Sequence, residues 1–410
     1  MGGWPAARWW LLLRALAFLV FAGFETRALY DVHYFARSLA HVHRGLGHTL
    51  VEYPLPALVV IALPWVLAKL SGLAHVYVVL FAAGALATDA GFTAVLVRMR
   101  AHRTAVAAWL VGVPLLGAAS YFRFDLVPAV LLGLAVLLLA VRPRLAMICV
   151  SVATAVKLWP ALAIPALLGG ARRRWSALGT VVVTGGVIAL ACVAAAGWSR
   201  LVSPLTYESH RGLQIESVWA SPAMVGWAAG PHRWHIAFSP YKAFEIRGTG
   251  VHLLLLASSA SELVLFAALV TLWWRMLRRG EPATAALVVW TVLAAVTGFV
   301  VVGKVLSPQY LLWLLAIAAA GLATTDGKDT RLRNWTVALL CATGMTHLLF
   351  PELYTGLERH VGLTPVAVSV LVVRNLLLLG LLGSAVWNAW RLGDRRQGRR
   401  PGPTSLRAET

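Results

Sequence analysis

The stretch YDVHYFARSLAHVHRGLGHTLVEYPLP, residues 30–56, is polar but lies between two apolar runs. It carries an acid, Asp31, near its start, then four histidines and two arginines, and a second acid, Glu52, near its end. A polar segment that separates two long apolar runs is typical of a loop between membrane-spanning helices. The stretch therefore predicts a membrane protein with a substantial polar loop after its first span.

The composition of the whole chain agrees with this prediction. Of 410 residues, 60% are hydrophobic and 13% charged, and the mean hydropathy is +0.76. Soluble domains contain about 25% charged residues, so we predict a polytopic membrane protein. Runs such as 126–141, 181–197, 253–274 and 366–390 cross, or nearly cross, roughly 30 Å of hydrocarbon as helices. They lack the alternation of barrel strands, and the predicted class is all-α.

The net charge of +20 lies in short clusters between the apolar runs, such as RMRAHR (98–103) and RRRW (172–175). Basic clusters in short loops mark the cytoplasmic side, so we attribute the charge to topology and anionic-lipid contact rather than to nucleic-acid binding. A cleavable signal peptide is an alternative for the N-terminal run, but no A-x-A-like site follows it. We predict an uncleaved first span with the N-terminus inside. The cysteines lie in apolar segments and indicate neither disulfides nor a metal cluster.

The apolar segments predict about 11–13 transmembrane helices in one domain, residues 1–390, followed by a disordered basic cytoplasmic tail, residues 391–410. The segments are 9–29, 54–97, 104–119, 126–141, 145–170, 177–197, 253–274, 283–302, 309–323, 335–350 and 366–390. Segment 54–97 is long enough for two crossings, with KLSG between them, although two crossings would place RMRAHR outside, so both counts stay open. Segment 145–170 contains KLWP and reads as two half-helices that meet at Lys157.

The predicted outside surface contains the first loop, 30–53, and a long loop, 198–252, together with three short links. The links are SYFRFD (120–125), GKVLSPQ (303–309) and PELYTGLERHVGLTP (351–365). The long loop is rich in Trp, Tyr, His and Pro, and a connection of this length is either functional or disordered. Its composition predicts a folded segment that lies against the membrane surface.

The first loop is predicted to contain a short interfacial helix. Val32, Phe35, Leu39 and Val42 recur at spacings of three and four, which gives one apolar stripe on a helix in the interface plane. Asp31 at its start is either an N-cap or a catalytic base at the mouth of a membrane cavity, and the two roles are compatible. The histidines lack the spacing of a helical zinc site, and no carboxylate completes one.

Lysine and arginine residues within or beside apolar runs are further candidate site residues. Lys157 lies inside ICVSVATAVKLWPALAIPALL (148–168) with no acid near it in sequence. A lysine at depth costs several kcal/mol unless it faces a polar cavity or a counter-ion, so we predict that Lys157 faces a cavity. Lys304, in VVGKVLSPQYLLWLL (301–315), is either a site cation or an interfacial anchor. Arg123 and Asp125 either pair with each other or belong to the site.

The segment YESHRGLQIESVW (207–219) of the long loop is rich in side chains that can bind hydroxyl groups and in aromatic side chains. Such a mixture suits a sugar or a phosphate, and it also suits any folded loop. Cations can hold a phosphate-bearing lipid and stabilise the charge of a leaving phosphate, and one carboxylate can take the proton of an attacking hydroxyl. A phosphate leaving group needs no second, acidic carboxyl.

These motifs, in this order, resemble the actinobacterial polyprenol-phosphate-mannose-dependent mannosyltransferases of glycosyltransferase family 87. The resemblance runs from about residue 10 to 390. It rests on five motifs in order: a span that ends in an acid, a loop that closes in EYP, the R-x-D link, KLWP and GKVLSPQYLLW. Members often have two prolines after the tyrosine where this chain has YPLP, and many carry a Gly-Gln element where SYFRFD stands. These departures put the donor sugar and the acceptor in doubt more than the reaction type.

The resemblance implies a GT-C fold with an extracytoplasmic active site in a bacterial cell membrane, and both termini in the cytoplasm. It implies that Asp31 is the catalytic base and that further residues bind the donor phosphate or sugar. These are Lys304, Lys157, Arg123, Arg211, Glu52, Tyr53, Gln309, Tyr310, Ser307, His210, Gln214 and Glu216. No DxD-like motif is present, so we expect a metal-independent enzyme without a cofactor.

The expected activity is inverting transfer of a hexose, mannose first, from a polyprenyl-phosphate donor to a glycolipid or polysaccharide acceptor. One alternative within the enzyme class is another lipid-phosphate sugar, such as arabinose or glucose. A lipid-linked sugar flippase or transporter is a second alternative, and it predicts two related halves with paired discontinuous helices. A non-catalytic membrane subunit is a third, but it has little need for lysines buried in apolar runs.

Overall fold

The computed structural model describes residues 3–24 and 26–394, and within them the chain forms sixteen α-helices and one two-stranded sheet. The helices are α1 (Gly3–Phe24), α2 (Tyr30–Ala40), α3 (Leu55–Leu70), α4 (Tyr77–Arg98), α5 (Arg103–Leu115), α6 (Leu126–Leu138), α7 (Pro143–Val156), α8 (Ile164–Gly170), α9 (Arg174–Ser209), α10 (Ser221–Ala229), α11 (Val251–Leu277), α12 (Ala285–Val302), α13 (Tyr310–Thr324), α14 (Thr330–His347), α15 (Tyr354–Glu358) and α16 (Thr364–Asp394). The strands β1 (Trp234–Phe238) and β2 (Phe244–Gly248) form an antiparallel hairpin. Residues 395–410 of the predicted tail lie outside the described residues.

Six of the helices are long and apolar enough to cross a membrane, namely α1, α4, α9, α11, α12 and α16. Large apolar side chains on several of them, such as Leu19, Leu190 and Leu263, are exposed. Apolar surface of this extent is typical of contact with lipid. Shorter apolar helices, among them α3, α5, α6, α7 and α13, complete the bundle. The prediction of an all-α polytopic membrane protein is confirmed.

Helices α12 and α13 form the centre of the bundle. Residues 311–322 of α13 are all buried, as are nearly all residues of α12 from Leu287 to Val301. The two helices approach closely at Gly321, where a Cβ would lie 2.5 Å from Cγ1 of Val289. Small residues permit such contacts in membranes, where helices associate by close packing rather than by the hydrophobic effect. The 303–309 link joins the two helices at the end of the bundle that carries α2.

Two long apolar runs are interrupted, and the break predicted at Lys157 is confirmed. Helix α3 ends at Leu70 and α4 begins at Tyr77, so segment 54–97 is two helices. Helix α7 ends at Val156, and Lys157 has an extended backbone with φ −153° and ψ 132°. The break has a local cause, because the ring of Pro160 would clash with the carbonyl of Val156 in a continuous helix.

A buried ion pair that the sequence analysis did not single out joins α1, α4 and α5. Arg14 donates from Nε and Nη2 to the two carboxylate oxygens of Asp89, at 2.8 and 2.9 Å. The indole N–H groups of Trp10 and Trp109 donate to the same carboxylate at 3.1 and 2.9 Å, and the Tyr121 hydroxyl lies 3.4 Å from it. The cation and the anion are therefore neutralised within the bundle, as such groups must be at membrane depth.

The long loop is folded, as predicted, but its predicted start at Trp198 is wrong. Helix α9 continues to Ser209 after a kink at Gly197, whose φ of +81° is a conformation that favours glycine. The chain beyond it forms α10 and the β-hairpin, and buried side chains of this region, such as Ile215 and Ile246, pack with Leu371 of α16. The connection is thus anchored on the bundle.

Candidate active site

Asp31 lies in the first turn of α2 and forms an ion pair with Arg123 through Oδ2 and Nη1. The apolar stripe of α2 is buried at Val32, Phe35 and Leu39, which fixes the rotation of the helix. Leu29 is the N-cap, and no side chain caps the helix. The N-cap interpretation of Asp31 is therefore wrong, and its carboxylate is turned toward Arg123 in the 120–125 link.

Asp125, at the end of the same link, pairs with Lys157 rather than with Arg123. Nζ of Lys157 lies 2.6 Å from Oδ1 of Asp125, and Nε1 of Trp313 donates to the same oxygen at 2.9 Å. Asp125 is 1% exposed. The link thus reaches α2 through Arg123 and the break after α7 through Asp125. No ion pair within 4 Å joins Arg123 to Asp125, although the two side chains interact electrostatically.

Aromatic rings surround the ammonium group of Lys157. Nζ lies 5.2, 5.4 and 5.1 Å from the ring centroids of Phe124, Tyr310 and Trp313. Trp313 is itself stacked between Trp159 and Tyr310, with centroid distances of 4.4 and 4.1 Å. Cation–π attraction adds to the ion pair, and the stacked rings fix the place where Lys157 lies.

Arg211 approaches this cluster from the end of α9. It donates to Glu208 at 3.0 Å, and it interacts electrostatically with Tyr310 and Tyr207. Its Nε is buried and makes no hydrogen bond within the described residues. Arg211 therefore keeps a donor that an incoming anion can use.

Three other residues that the resemblance assigned to donor binding are engaged with the backbone. Oε1 of Gln214 accepts the N–H of Leu306 at 2.7 Å, and the Gln214 N–H donates to the carbonyl of Lys304 at 3.0 Å. Nζ of Lys304 donates to the carbonyl of Ser209 at 3.0 Å. The ring of His210 lies 2.8 Å from the carbonyl of Thr206. These contacts join the end of α9 to the 303–309 link.

Glu216 belongs to a second buried group of charges. The sequence predicted Glu216 as a site residue, but not its partner Arg374. Its Oε2 is 4.0 Å from Nη2 of Arg374, a residue of α16 that is fully buried. Burial raises the pKa of Glu216 to about 7, against the opposing effects of Arg374, of a hydrogen bond with Tyr354, and of Arg123. Glu216 is therefore electrostatically coupled to the cation that pairs with Asp31.

The closing motif of the first loop packs beside the same link. The Tyr53 ring lies edge-on to Phe124 at a centroid distance of 4.9 Å. Glu52 accepts the Tyr34 hydroxyl at 2.7 Å. Its hydrogen-bond partner therefore lies on α2.

The two remaining predicted residues lie at the start of α13. The side chain of Ser307 forms a hydrogen bond with Tyr310. Gln309 is 5% exposed, and its Oε1 makes no hydrogen bond within the described residues. Both residues support the first turn of α13, whose Tyr310 faces Lys157.

Pairs of opposite charge lie at this end of the bundle. The pairs are Asp31–Arg123, Asp125–Lys157, Glu208–Arg211 and Glu216–Arg374. A carboxylate beside several cations can accept a proton while the cations neutralise charge on a phosphate. No group of three or more metal-ligating side chains occurs among the residues that the structure describes.

Comparison with known protein families gives a match to glycosyltransferase family 87 over residues 49–283. This range is more than half of the chain, and it includes the 120–125 link, Lys157, Arg211 and Glu216. The comparison with curated proteins and that with solved structures gave no match.

Proposed function

The chain belongs to glycosyltransferase family 87 and is a membrane glycosyltransferase, and from this premise we propose that it transfers a hexose from a polyprenyl-phosphate donor to a glycolipid or polysaccharide. Mannose is the sugar we propose first. The observation that carries the proposal is the Asp31–Arg123 pair, which puts a carboxylate next to the cations of the cluster. The proposed site faces the extracytoplasmic side of a bacterial cell membrane, and both termini are cytoplasmic.

Asp31 is the proposed base. Its carboxylate takes the proton of an acceptor hydroxyl as the oxygen forms a bond to the anomeric carbon of the donor sugar. Asp31 suits this role because it lies beside a proposed phosphate ligand, Arg123, and its side chain remains partly accessible, at 10%. Asp125 and Glu216 suit it less, because their carboxylates are almost fully buried.

Arg123, Lys157 and Arg211 are the proposed phosphate ligands. When the bond from the anomeric carbon to the phosphate oxygen breaks, the electron pair leaves with the polyprenyl phosphate, and fixed cations stabilise the new charge. The acceptor attacks from the face opposite the phosphate, so the configuration at the anomeric carbon inverts. A phosphate stabilised in this way needs no acid catalyst, and the mechanism uses no cofactor or metal.

The transfer has a direct test with radiolabelled polyprenyl-phosphate-mannose added to isolated membranes that contain equal amounts of each protein. We expect wild type to label the lipid or glycan fraction. A general base contributes about 10²–10⁴-fold, so Asp31→Asn should lower transfer by that factor. Asp326→Asn, at an exposed acid after α13, is the matched control and should transfer at the wild-type rate.

The outcomes separate the alternatives. Equal transfer by wild type and Asp31→Asn would refute the role of Asp31. Transfer from an arabinosyl or glucosyl donor, and none from the mannosyl donor, would keep the reaction and change the sugar. No transfer from any lipid-phosphate sugar would refute the proposed donor class.

A further inference from the structure

A polar pocket of about 210 Å³ lies between α2 and the end of the first loop. Helix α2 contributes Tyr34 and Ser38, His41 follows at its C-cap, and residues 48–52 form the opposite wall. Pockets for drug-sized ligands measure about 300–1,000 Å³, so this one suits a smaller unit, such as a single sugar ring.

The wall of the pocket is held in place by α9. Arg200, which is 2% exposed, donates to the carbonyl oxygens of Leu46, Thr49 and Leu50 at 3.2, 3.3 and 3.1 Å. Ser203 donates to the carbonyl of residue 51 at 2.8 Å. Leu50 has a φ of +49°, which is unfavourable for a branched side chain. A buried cation thus stabilises an unfavourable backbone, and the pocket is a fixed part of the fold.

The lining matches the hydroxyl groups of a sugar. Glu52 offers a carboxylate that the Tyr34 hydroxyl orients at 2.7 Å, and Ser38 and two imidazoles add short-range donors and acceptors. Nζ of Lys242 lies 4.4 Å from the centroid of the Tyr34 ring, which is a favourable cation–π distance.

The same lining disfavours a phosphate. Among the described residues that line the pocket, Glu52 is an acid and none is a lysine or an arginine. A fixed carboxylate repels an anion, whereas hydrogen bonds from neutral hydroxyls to a carboxylate are favourable. Two cations lie close to the lining, but Arg200 is engaged with backbone carbonyls and Lys242 with the Tyr34 ring. The cations proposed to bind the phosphate lie around Asp31 and Lys157.

One face of α2 connects the pocket to the candidate base. Asp31, Tyr34, Ser38 and His41 recur at spacings of three and four, so they lie along one side of the helix. The seven residue steps from Asp31 to Ser38 correspond to about 10 Å of helix, a separation that a disaccharide spans.

We propose that this pocket is an acceptor subsite, which binds an uncharged sugar of the acceptor glycan next to the sugar whose hydroxyl reacts at Asp31. The role as an acceptor site rests on the proposed function. The proposal gives Glu52 a role in binding the acceptor sugar rather than the donor phosphate. The preferred acceptor then carries at least two linked sugars.

Binding of a methyl mannobioside to the purified full chain tests the proposal, with saturation-transfer NMR as the measurement. A hydrogen bond to a charged group contributes about 1.5–3 kcal/mol, so Glu52→Gln should weaken binding about tenfold or more. Ser38→Leu, which fills the pocket, should have a similar effect. Glu352→Gln, at an exposed acid, is the matched control and should bind like wild type.

Binding that is absent in wild type, or unchanged in both pocket variants, would overturn the proposal. So would competition by inorganic phosphate for the pocket-dependent signal. Because the measurement needs no turnover, it separates this proposal from the proposed reaction. If the sugar binds in a pocket-dependent manner and no donor supports transfer, the reaction is refuted and the sugar site is retained.

Discussion

Replacing Lys157 by methionine tests whether the ion pair with Asp125 holds the site together. In the variant, Asp125 stays buried at 1% exposure and keeps the hydrogen bond from Trp313 at 2.9 Å, but it loses its counter-ion. Removing one member of a buried pair costs about 3–5 kcal/mol. At roughly 2 °C per kcal/mol for a large chain, the thermal midpoint should fall by about 6–10 °C.

A second substitution makes this prediction specific. In Lys157→Met with Asp125→Asn, the amide oxygen still accepts from Trp313, and no charge remains unpaired. Most of the lost stability should therefore return, so the effects of the two substitutions should be strongly non-additive. If Lys157 also binds the donor phosphate, the double variant should be stable and yet have a raised KM for the donor.

The assay is thermal unfolding of purified protein in detergent, followed by tryptophan fluorescence, together with initial transfer rates. Lys304→Met is the matched control, because Nζ of Lys304 donates to a backbone carbonyl and belongs to no buried ion pair. It should cost about 1 kcal/mol, as for the loss of one hydrogen bond. A midpoint unchanged by Lys157→Met, or purely additive effects in the double variant, would refute the reasoning.

Asp89→Asn should lower stability by about 3–5 kcal/mol, because Arg14 then lies buried without a counter-ion; a thermal midpoint equal to that of wild type would contradict this. Glu216 should make stability depend on pH, because burial raises its pKa from 4.5 to about 7 on folding. The contribution of Glu216 to the free energy of unfolding is fully present below pH 4.5 and is lost as the pH rises through about 7. The fall in thermal midpoint between pH 5 and pH 8 should therefore be smaller in Glu216→Gln, and an equal fall in both proteins would count against the buried acid.

Features with a local cause were predictable from the sequence. The spacing of three and four in the first loop predicted the buried stripe of α2, since a helix repeats every 3.6 residues. Pro160 predicted the break at Lys157, because its ring cannot follow a regular helical turn. The folded state of the long loop followed from its aromatic composition.

The partners of the charged residues were not predictable, because they come from distant parts of the chain. Asp125 and Lys157 are 32 residues apart, Arg14 and Asp89 are 75, and the Arg374 contact spans 158. Arg14, Asp89 and Arg374 nevertheless carried a signal, since each is a charged residue within an apolar run. The same consideration that singled out Lys157 applies to all three.

The Asp125–Lys157 pair also has a consequence for the biogenesis of the protein. Asp125 immediately precedes α6 and Lys157 immediately follows α7, so the pair closes a hairpin of two consecutive helices. Both charges are therefore available to each other once this hairpin has left the ribosome, before α12 and α13 are made. A lysine that is costly to insert alone can enter the bilayer already neutralised, and the site begins to assemble with the first half of the chain.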